Sequence, residues 1–185
     1  DTSTSSQITL YENMEKAAKA LQTSVKDLQN INLGTDTDKE DTQDTIKKKL
    51  FEQIDEFAGD YNSLYKSLDQ AGGTTNTMFQ KQLKALFTTN QKNLAEIGIT
   101  MDAKGTLSVD SKTLEAADVY KLQKILCDKD SFAARVSDKC ETIKSCANST
   151  IKVLNRMYGT QTAYNRYGTN GYYYGSSGSR YNAKS

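Results

Sequence analysis

Apolar residues recur along most of the chain at alternating spacings of three and four, the pattern of helices that bury one face. The first such stretch covers about residues 7–29, the second about 44–70 and the third about 76–97. An acidic segment at 30–43 separates the first two, and a pair of glycines follows the second, as often happens beyond a helix end. The pattern therefore predicts three long helices in series.

The pattern changes after the third helix. Residues 99–109 alternate apolar and polar side chains around a turn that contains Gly105, which predicts a β-hairpin. Asp110 or Ser111 is placed to cap a short helix that follows. A last long helix is predicted over about 131–158, where apolar residues again recur at helical spacing. The predicted fold class is mainly α, an elongated helical bundle or coiled coil with one small hairpin.

Two of the apolar stripes have the heptad-like spacing of helices that pair with other helices. They lie on the first helix and on the last one, and we expect them to form the surface through which the chain associates. The residues of this predicted association stripe are Tyr11, Met14, Leu21, Val25, Leu28, Val136, Ile143, Leu154 and Met157. Burying one Leu or Val in such a seam contributes roughly 1.5–3 kcal/mol.

Composition limits the chemistry that the chain can perform. Its 185 residues include no histidine, no proline and no tryptophan. Without histidine there is no Ser–His or Cys–His nucleophile pair, and the three cysteines are too scattered to form a metal site by themselves. We therefore predict that the protein is not an enzyme, that it uses no cofactor and no metal, and that its thiols are reduced.

Charge and hydropathy exclude further classes of partner. Lys and Arg number 24 against 23 Asp and Glu, a net charge of +1, so nothing favours nucleic acid electrostatically. No run approaches the ~20 apolar residues that span a bilayer. The first residues show neither the basic nor the apolar region of a cleavable signal peptide. We expect no nucleic acid and no membrane span.

The last part of the sequence has a different composition. Residues 159–185 contain six Tyr and five Gly but no Leu, Ile, Val or Met. Such a segment cannot bury an aliphatic core, so the composition predicts that it is disordered or depends on a partner for its structure. Tyr172, Tyr173 and Tyr174 are its candidate binding residues, because Tyr among Gly, Ser and Asn is typical of adaptable binding surfaces.

Two short motifs lie about 35 residues apart, one on the second helix and one across the hairpin. The residues that carry them are Phe57, Tyr61, Asn62, Leu64, Gly98, Ile99, Gly105, Leu107, Asp110 and Leu114. In this order and at this distance the motifs resemble the C-terminal region of bacterial flagellar filament-cap proteins, also called hook-associated protein 2. The resemblance covers roughly residues 44–118 and extends more loosely to about 157.

The motif residues also have a purely architectural interpretation. Phe57, Tyr61 and Leu64 lie on one helical face, which predicts that they are core residues. The glycines are turn positions and the aspartate is a cap. Asn62 is expected to be a solvated surface residue, with a contact to a helix end or to a neighbouring backbone as the alternative.

The resemblance implies a secreted, non-enzymatic protein of the bacterial flagellum, located outside the cell. Family members form a ring-shaped oligomer at the filament tip, guide flagellin subunits into place and insert coiled-coil legs built from their terminal helices. The implied partners are further copies of the chain and flagellin or another flagellar protein. The helix at 131–158 would be a leg, and we expect the helix at 7–29 to pack beside it.

Family members carry a β-rich body before the matched region, and residues 1–43 leave no room for one. The chain is then either a piece of a longer cap protein or a short paralogue. Its predicted organisation is a helix and acidic loop at 1–43, a cap-like helical region at 44–158 and a tail at 159–185. The competing hypothesis is a secreted surface adhesin or a peptide-binding helical module that uses the Tyr-rich tail.

Overall fold

The computed structural model of the chain describes residues 2–31 and 40–168, with side chains for residues 4–31 and 44–158. In chain order the elements are α1 (Thr2–Gln29), α2 (Glu40–Ala71), α3 (Gly73–Glu96), β1 (Ile99–Met101), β2 (Leu107–Val109), α4 (Ser111–Ala116), α5 (Val119–Leu122), a π-helix (Gln123–Cys127) and α6 (Phe132–Gly168). β1 and β2 form a two-stranded antiparallel sheet. The predicted fold class, mainly α with one small hairpin, is confirmed.

The helices are longer than the apolar stripes from which they were predicted. α1 begins at Thr2 rather than at about 7, and α2 begins at Glu40 rather than at about 44. α6 runs to Gly168 rather than to about 158, so its backbone is helical over ten residues for which disorder was predicted. Side-chain burial ends with the apolar stripe. The helical backbone continues beyond the stripe, since no proline interrupts it.

The four long helices pack in a ring. α1 packs against α2 and α6, and α3 closes the ring by contacting α2 and α6 in turn. Polar contacts show that α1 and α6 are antiparallel: Gln22 donates to Glu141 at 2.8 Å, and Asn148 donates to Glu15 at 3.4 Å. The expected pairing of the first and last helices is confirmed.

An aromatic cluster ties the ring together. The rings of Phe57 on α2 and Phe87 on α3 both meet Phe132 at the start of α6 edge to face, with centroid distances of 6.2 Å and 6.4 Å. Edge-to-face pairs add about 0.5–1.5 kcal/mol each beyond the area they bury. The cluster therefore joins three helices that are distant in the sequence.

The turn between α2 and α3 sets how far along α1 these two helices reach. Gly72 and Gly73 both have positive φ, at 62° and 83°, which reverses the chain without a loop. The buried Asn76 side chain donates to the Gly72 carbonyl at 2.7 Å and to the Tyr11 hydroxyl at 3.3 Å. Tyr11 of α1 is therefore held beside the α2–α3 turn.

Candidate functional site

The second helix holds the hairpin through the side chain of Asn62. Its amide nitrogen donates to the Leu107 carbonyl at 2.9 Å, and its amide oxygen accepts from the Leu107 N–H at 2.7 Å. The two bonds pair the Leu107 N–H and carbonyl groups, which point away from β1, as a third strand would do. The expectation that Asn62 is solvated was wrong, and the alternative, a contact with neighbouring backbone, is confirmed.

The hairpin turn rests on the same face of α2, one helical turn further along. Gly105 has a φ of 88°, and a Cβ placed there would lie 2.5 Å from the Tyr65 ring. Asp102 closes the turn, because its carboxylate accepts from the N–H groups of Lys104 and Thr106, both at 2.9 Å. A residue other than glycine at position 105 would be strained by the positive φ and would require the Tyr65 ring to shift.

Gly98 and Asp110 join the base of the hairpin to α4. The Asp110 N–H donates to the Gly98 carbonyl at 2.8 Å, and the Asp110 carboxylate caps α4 by accepting from the Lys112 N–H at 3.1 Å. The buried Leu114 of α4 then packs into the core. The motif residues on α2 and on the hairpin thus form one connected structural unit, as their architectural interpretation predicts.

Substituting Gly98 by alanine is expected to destabilise the protein strongly. Its φ is 88°, and an added Cβ would lie 2.7 Å from the Asp110 carbonyl oxygen and 3.2 Å from the Leu114 nitrogen, both backbone atoms that cannot swing away. The left-handed backbone alone costs about 1–2 kcal/mol, and the contacts add to it. Urea denaturation followed by circular dichroism measures the loss.

Gly59→Ala is the matched control for that substitution. Gly59 lies within α2, and a Cβ there would have nothing within 4 Å. Because alanine is the better helix former, this variant is expected to gain about 0.5–1 kcal/mol. Equal effects of the two substitutions would contradict the tight approach at Gly98.

Most of the predicted association stripe is buried inside the chain itself. Met14, Leu21, Val25, Leu28, Val136 and Ile143 are all buried in the core of the ring. Tyr11 and Leu154 are half-buried, and Met157 is 57% exposed. The expectation that the whole stripe mediates association was therefore wrong for its buried part, because the first and last helices use it to pair within one chain.

Beyond this core, α1 and α6 continue together past the α2–α3 turn. The last fully buried side chains are Met14 on α1 and Ala147 on α6, and the contact of Tyr11 with Asn76 marks the turn. We call residues 2–13 of α1 and 149–168 of α6 the outer end of the α1–α6 pair. At 1.5 Å per residue its α6 part is about 30 Å long.

Apolar side chains continue along the outer end although the core does not. Ile8 and Leu10 on α1 and Ile151 on α6 are half-buried. Val153 and Met157, one helical turn apart on α6, are 48% and 57% exposed. Few other large apolar side chains are this exposed in the part of the chain that the structure describes, so the outer end is the candidate surface for a partner.

A groove of about 400 Å³ lies at the opposite end of the bundle, where α6 begins. Asn90 and Asn93 of α3 line it from one side and the π-helix from the other. An ion pair of 2.7 Å between Lys121 and Glu96 lies at the groove, and the hydrogen bond from Lys121 lowers the pKa of Glu96. The lining carries both charge signs, so its net charge alone selects no class of ligand.

Burial keeps two of the three thiols in their unreactive, protonated form. Cys127, Cys140 and Cys146 are all free, as predicted. Burial raises the pKa of Cys140 to about 12 and that of Cys127 to about 11, so both remain protonated at neutral pH, and the thiolate is the reactive form. Among the described residues no group of three His, Cys, Asp or Glu side chains is placed to hold a metal ion.

Some predicted features fall outside the described residues. Most of the acidic loop, at 32–39, lies there, and so do Tyr172, Tyr173 and Tyr174 of the tail. None of the helices in the described part of the chain combines the length and the hydropathy of a membrane span.

Sequence reasoning missed the outer end as a separate surface. The stripe continues through Leu154 to Met157 without a break, and only the place where α2 and α3 stop divides it into a buried and an exposed part. The glycine pair after α2, together with an apolar stripe that continues to Met157 on the last helix, contained that signal.

Comparison of the chain with protein-family models, with curated proteins and with solved structures finds no match. The assignment of a function therefore depends on the geometry described above and on the resemblance of the two motifs.

Proposed function

We propose that this chain is a structural assembly protein that resembles the flagellar filament cap. In this proposal it acts outside the cell, by association of helices, to guide or cap the assembly of flagellin. The observation that carries the proposal is the outer end of the α1–α6 pair, where two long helices run past the rest of the bundle with apolar side chains exposed. A projecting helix pair of this kind corresponds to the leg that the resemblance implies.

The contacts of the motif residues support the proposal in a second way. Asn62 and Gly105 both serve to fix the hairpin on α2, so these two motif residues have a structural role. A protein whose distinctive residues build a rigid body is suited to positioning other subunits rather than to turning over a substrate. The ring of four packed helices then sets the direction in which the outer end projects.

Association through the outer end would use apolar side chains that do not belong to the buried core. Val153 and Met157 are about half exposed, so burying them against a partner helix would remove further apolar surface from water. At about 25 cal/mol per Å² this burial is favourable for any helical partner with a matching apolar stripe. Flagellin and other flagellar proteins are the proposed partners.

The proposal predicts binding to flagellin that depends on the outer end. A double variant, Val153→Gln with Met157→Gln, keeps good helix formers but removes the apolar contacts, and is expected to weaken binding at least about tenfold. Co-sedimentation with filaments of flagellin from the same organism measures it. Tyr120→Gln, at a 67% exposed residue beside the groove at the opposite end, is the control and should bind normally.

Two outcomes would contradict the proposal. One is that the unaltered chain binds neither flagellin nor filaments, and the other is that the double variant binds as well as the control. A chain that ends at residue 168 should bind as the full chain does. Loss of all binding on that truncation would favour the competing adhesin, which works through the tail.

A further inference from the structure

We infer that the groove where α6 begins binds a free α-amino acid with a large apolar side chain. Such a ligand carries an ammonium group, a carboxylate and an apolar group on one carbon atom. The groove of about 400 Å³ offers a counterpart to each of the three, and its volume falls in the range of small-molecule sites, about 300–1,000 Å³. The inference goes beyond the proposed function, since the groove and the outer end lie at opposite ends of the bundle.

The charged groups of the groove that remain unpaired are of both signs. Lys121 and Glu96 neutralise each other through their ion pair of 2.7 Å. Lys124, Asp128 and Asp130 are exposed and form no ion pair among the described side chains. A ligand of a single charge would meet a like charge here, which disfavours binding. A zwitterion can instead place its carboxylate towards the lysine and its ammonium group towards the aspartates.

Two asparagines of α3 line the groove and add neutral hydrogen-bonding groups. The amide nitrogen of Asn90 donates to the Leu86 carbonyl at 2.8 Å, which orients the side chain and keeps its Oδ1 available as an acceptor. Asn93 is exposed, and its amide can donate to a carboxylate. Hydrogen bonds to an ionised group are stronger than those between neutral groups. The two amides therefore complement the same two charged ends of the ligand.

Apolar side chains line the interior of the groove. Phe132 is only 3% exposed, and Ile125 is half-buried beside it. The ring of Tyr120 lines the rim and is 67% exposed. Aromatic rings gain from stacked or edge-to-face contact with a further ring, in addition to the area that they bury. An aromatic or other large apolar side chain is therefore the one that this lining favours.

The backbone beside the groove supports a binding role independently of the side chains. Lys124 and Ile125 belong to the π-helix Gln123–Cys127, in which the Asp128 N–H donates to the Gln123 carbonyl at 3.0 Å. Segments of π-helix are rare, and they are frequently found at functional sites. The part of the chain that departs from ordinary helical geometry is thus the part that supplies the unpaired cation of the groove.

Isothermal titration calorimetry of the full chain with L-phenylalanine tests the inference. We expect a dissociation constant between about 10 μM and 1 mM, as is reasonable for a ligand of this size. N-acetyl-L-phenylalanine lacks the ammonium charge and L-phenylalaninamide lacks the carboxylate, so each should bind at least about tenfold more weakly. An absence of binding up to about 10 mM L-phenylalanine, or equal binding of the two blocked forms, overturns the inference.

A lysine variant tests which group meets the carboxylate. Lys124→Gln should weaken the binding of L-phenylalanine about tenfold but leave that of L-phenylalaninamide unchanged, because the amide has no carboxylate to lose. Lys129→Gln is the matched control, at an exposed lysine that does not line the groove, and should bind both ligands normally. If Lys124→Gln weakens both ligands equally, Lys124 does not meet the carboxylate and the assignment is overturned.

The acidic side of the groove has the complementary test. The double variant Asp128→Asn with Asp130→Asn should weaken the binding of L-phenylalanine about tenfold and leave that of N-acetyl-L-phenylalanine unchanged. Asp138→Asn, at an exposed acid of α6 outside the groove, is the control. Normal binding of L-phenylalanine by the double variant overturns the assignment of the ammonium group.

Flagellin is absent from these titrations, so they are separate from the test of the proposed function. The Val153→Gln, Met157→Gln double variant, which should lose flagellin binding, should bind L-phenylalanine normally, because both substitutions lie outside the groove. A chain that binds L-phenylalanine but not flagellin keeps the inference and loses the proposed function. A chain that binds flagellin but not L-phenylalanine does the opposite.

Discussion

Replacing Leu21 by aspartate is expected to unfold the helical bundle. Leu21 is fully buried at the middle of α1, between the two helices with which α1 packs. Truncation to alanine alone should cost about 2–5 kcal/mol, because it removes transfer free energy and leaves a cavity. A carboxylate at this position would also have to be desolvated without a partner, so the cost should exceed that of alanine. Small domains have only about 5–15 kcal/mol to lose.

Thermal denaturation followed by circular dichroism measures this effect, with Ala20→Asp as the control. Ala20 is the preceding residue on the same helix and is exposed, so the same charge there should change stability little. The outcome that would contradict the structure is a folded Leu21→Asp chain that has merely become monomeric. That result would mean that the stripe on α1 joins different chains rather than helices of one chain.

Leu154 illustrates how the same stripe changes its role along α6. It continues the spacing of Val136 and Ile143, yet it is only half-buried, whereas those two are buried. Leu21 and Leu154 look equivalent in the sequence because periodicity reports which face a residue occupies. It does not report whether neighbouring helices extend far enough to cover that face.

Much of the fold follows from local sequence signals. The periodic stripes predict all four long helices, the alternation at 99–109 predicts the hairpin, and the position of Asp110 predicts a helix cap, which the structure confirms. Phe57 and Tyr61 were placed in the core from their helical spacing, and both are fully buried. These features depend on residues a few positions apart, which is why a single sequence contains them.

The remaining features depend on residues far apart in the chain. Asn62 bonds with the backbone of Leu107, 45 residues later, and nothing in the sequence around either residue shows this contact. The division of the α1–α6 pair into core and outer end depends on where the glycine turn after α2 reaches α1. The candidate site is therefore less predictable than the fold, because it is defined by what other elements leave uncovered.

Replacing Asn62 by leucine is expected to detach the hairpin from α2. The change leaves the N–H and the carbonyl of Leu107 without their partners, although Leu107 itself is buried. An unpaired buried polar group costs about 1–3 kcal/mol, and two are created here. Urea denaturation should show the loss, and hydrogen exchange should show faster exchange of the Leu107 amide in particular.

Replacing Asn62 by aspartate separates the two hydrogen bonds without changing the shape of the side chain. An ionised carboxylate still accepts from the Leu107 N–H, but its second oxygen faces the Leu107 carbonyl and has no proton to donate. Protonation restores a donor, so we expect folding to raise the pKa of the introduced carboxyl. The contribution is then fully present below the unfolded pKa of about 4 and is lost as pH rises through the folded pKa.

The stability deficit of Asn62→Asp relative to the unaltered chain should therefore be about 1–3 kcal/mol at pH 7 and should shrink towards pH 3.5. Measuring the difference between the two chains cancels the acid sensitivity that they share. Asn93→Asp, at an exposed position of α3, is the control and should show no such dependence. A deficit of Asn62→Asp that stays constant with pH would mean that the bond to the Leu107 carbonyl contributes little, and that the N–H bond alone holds the hairpin.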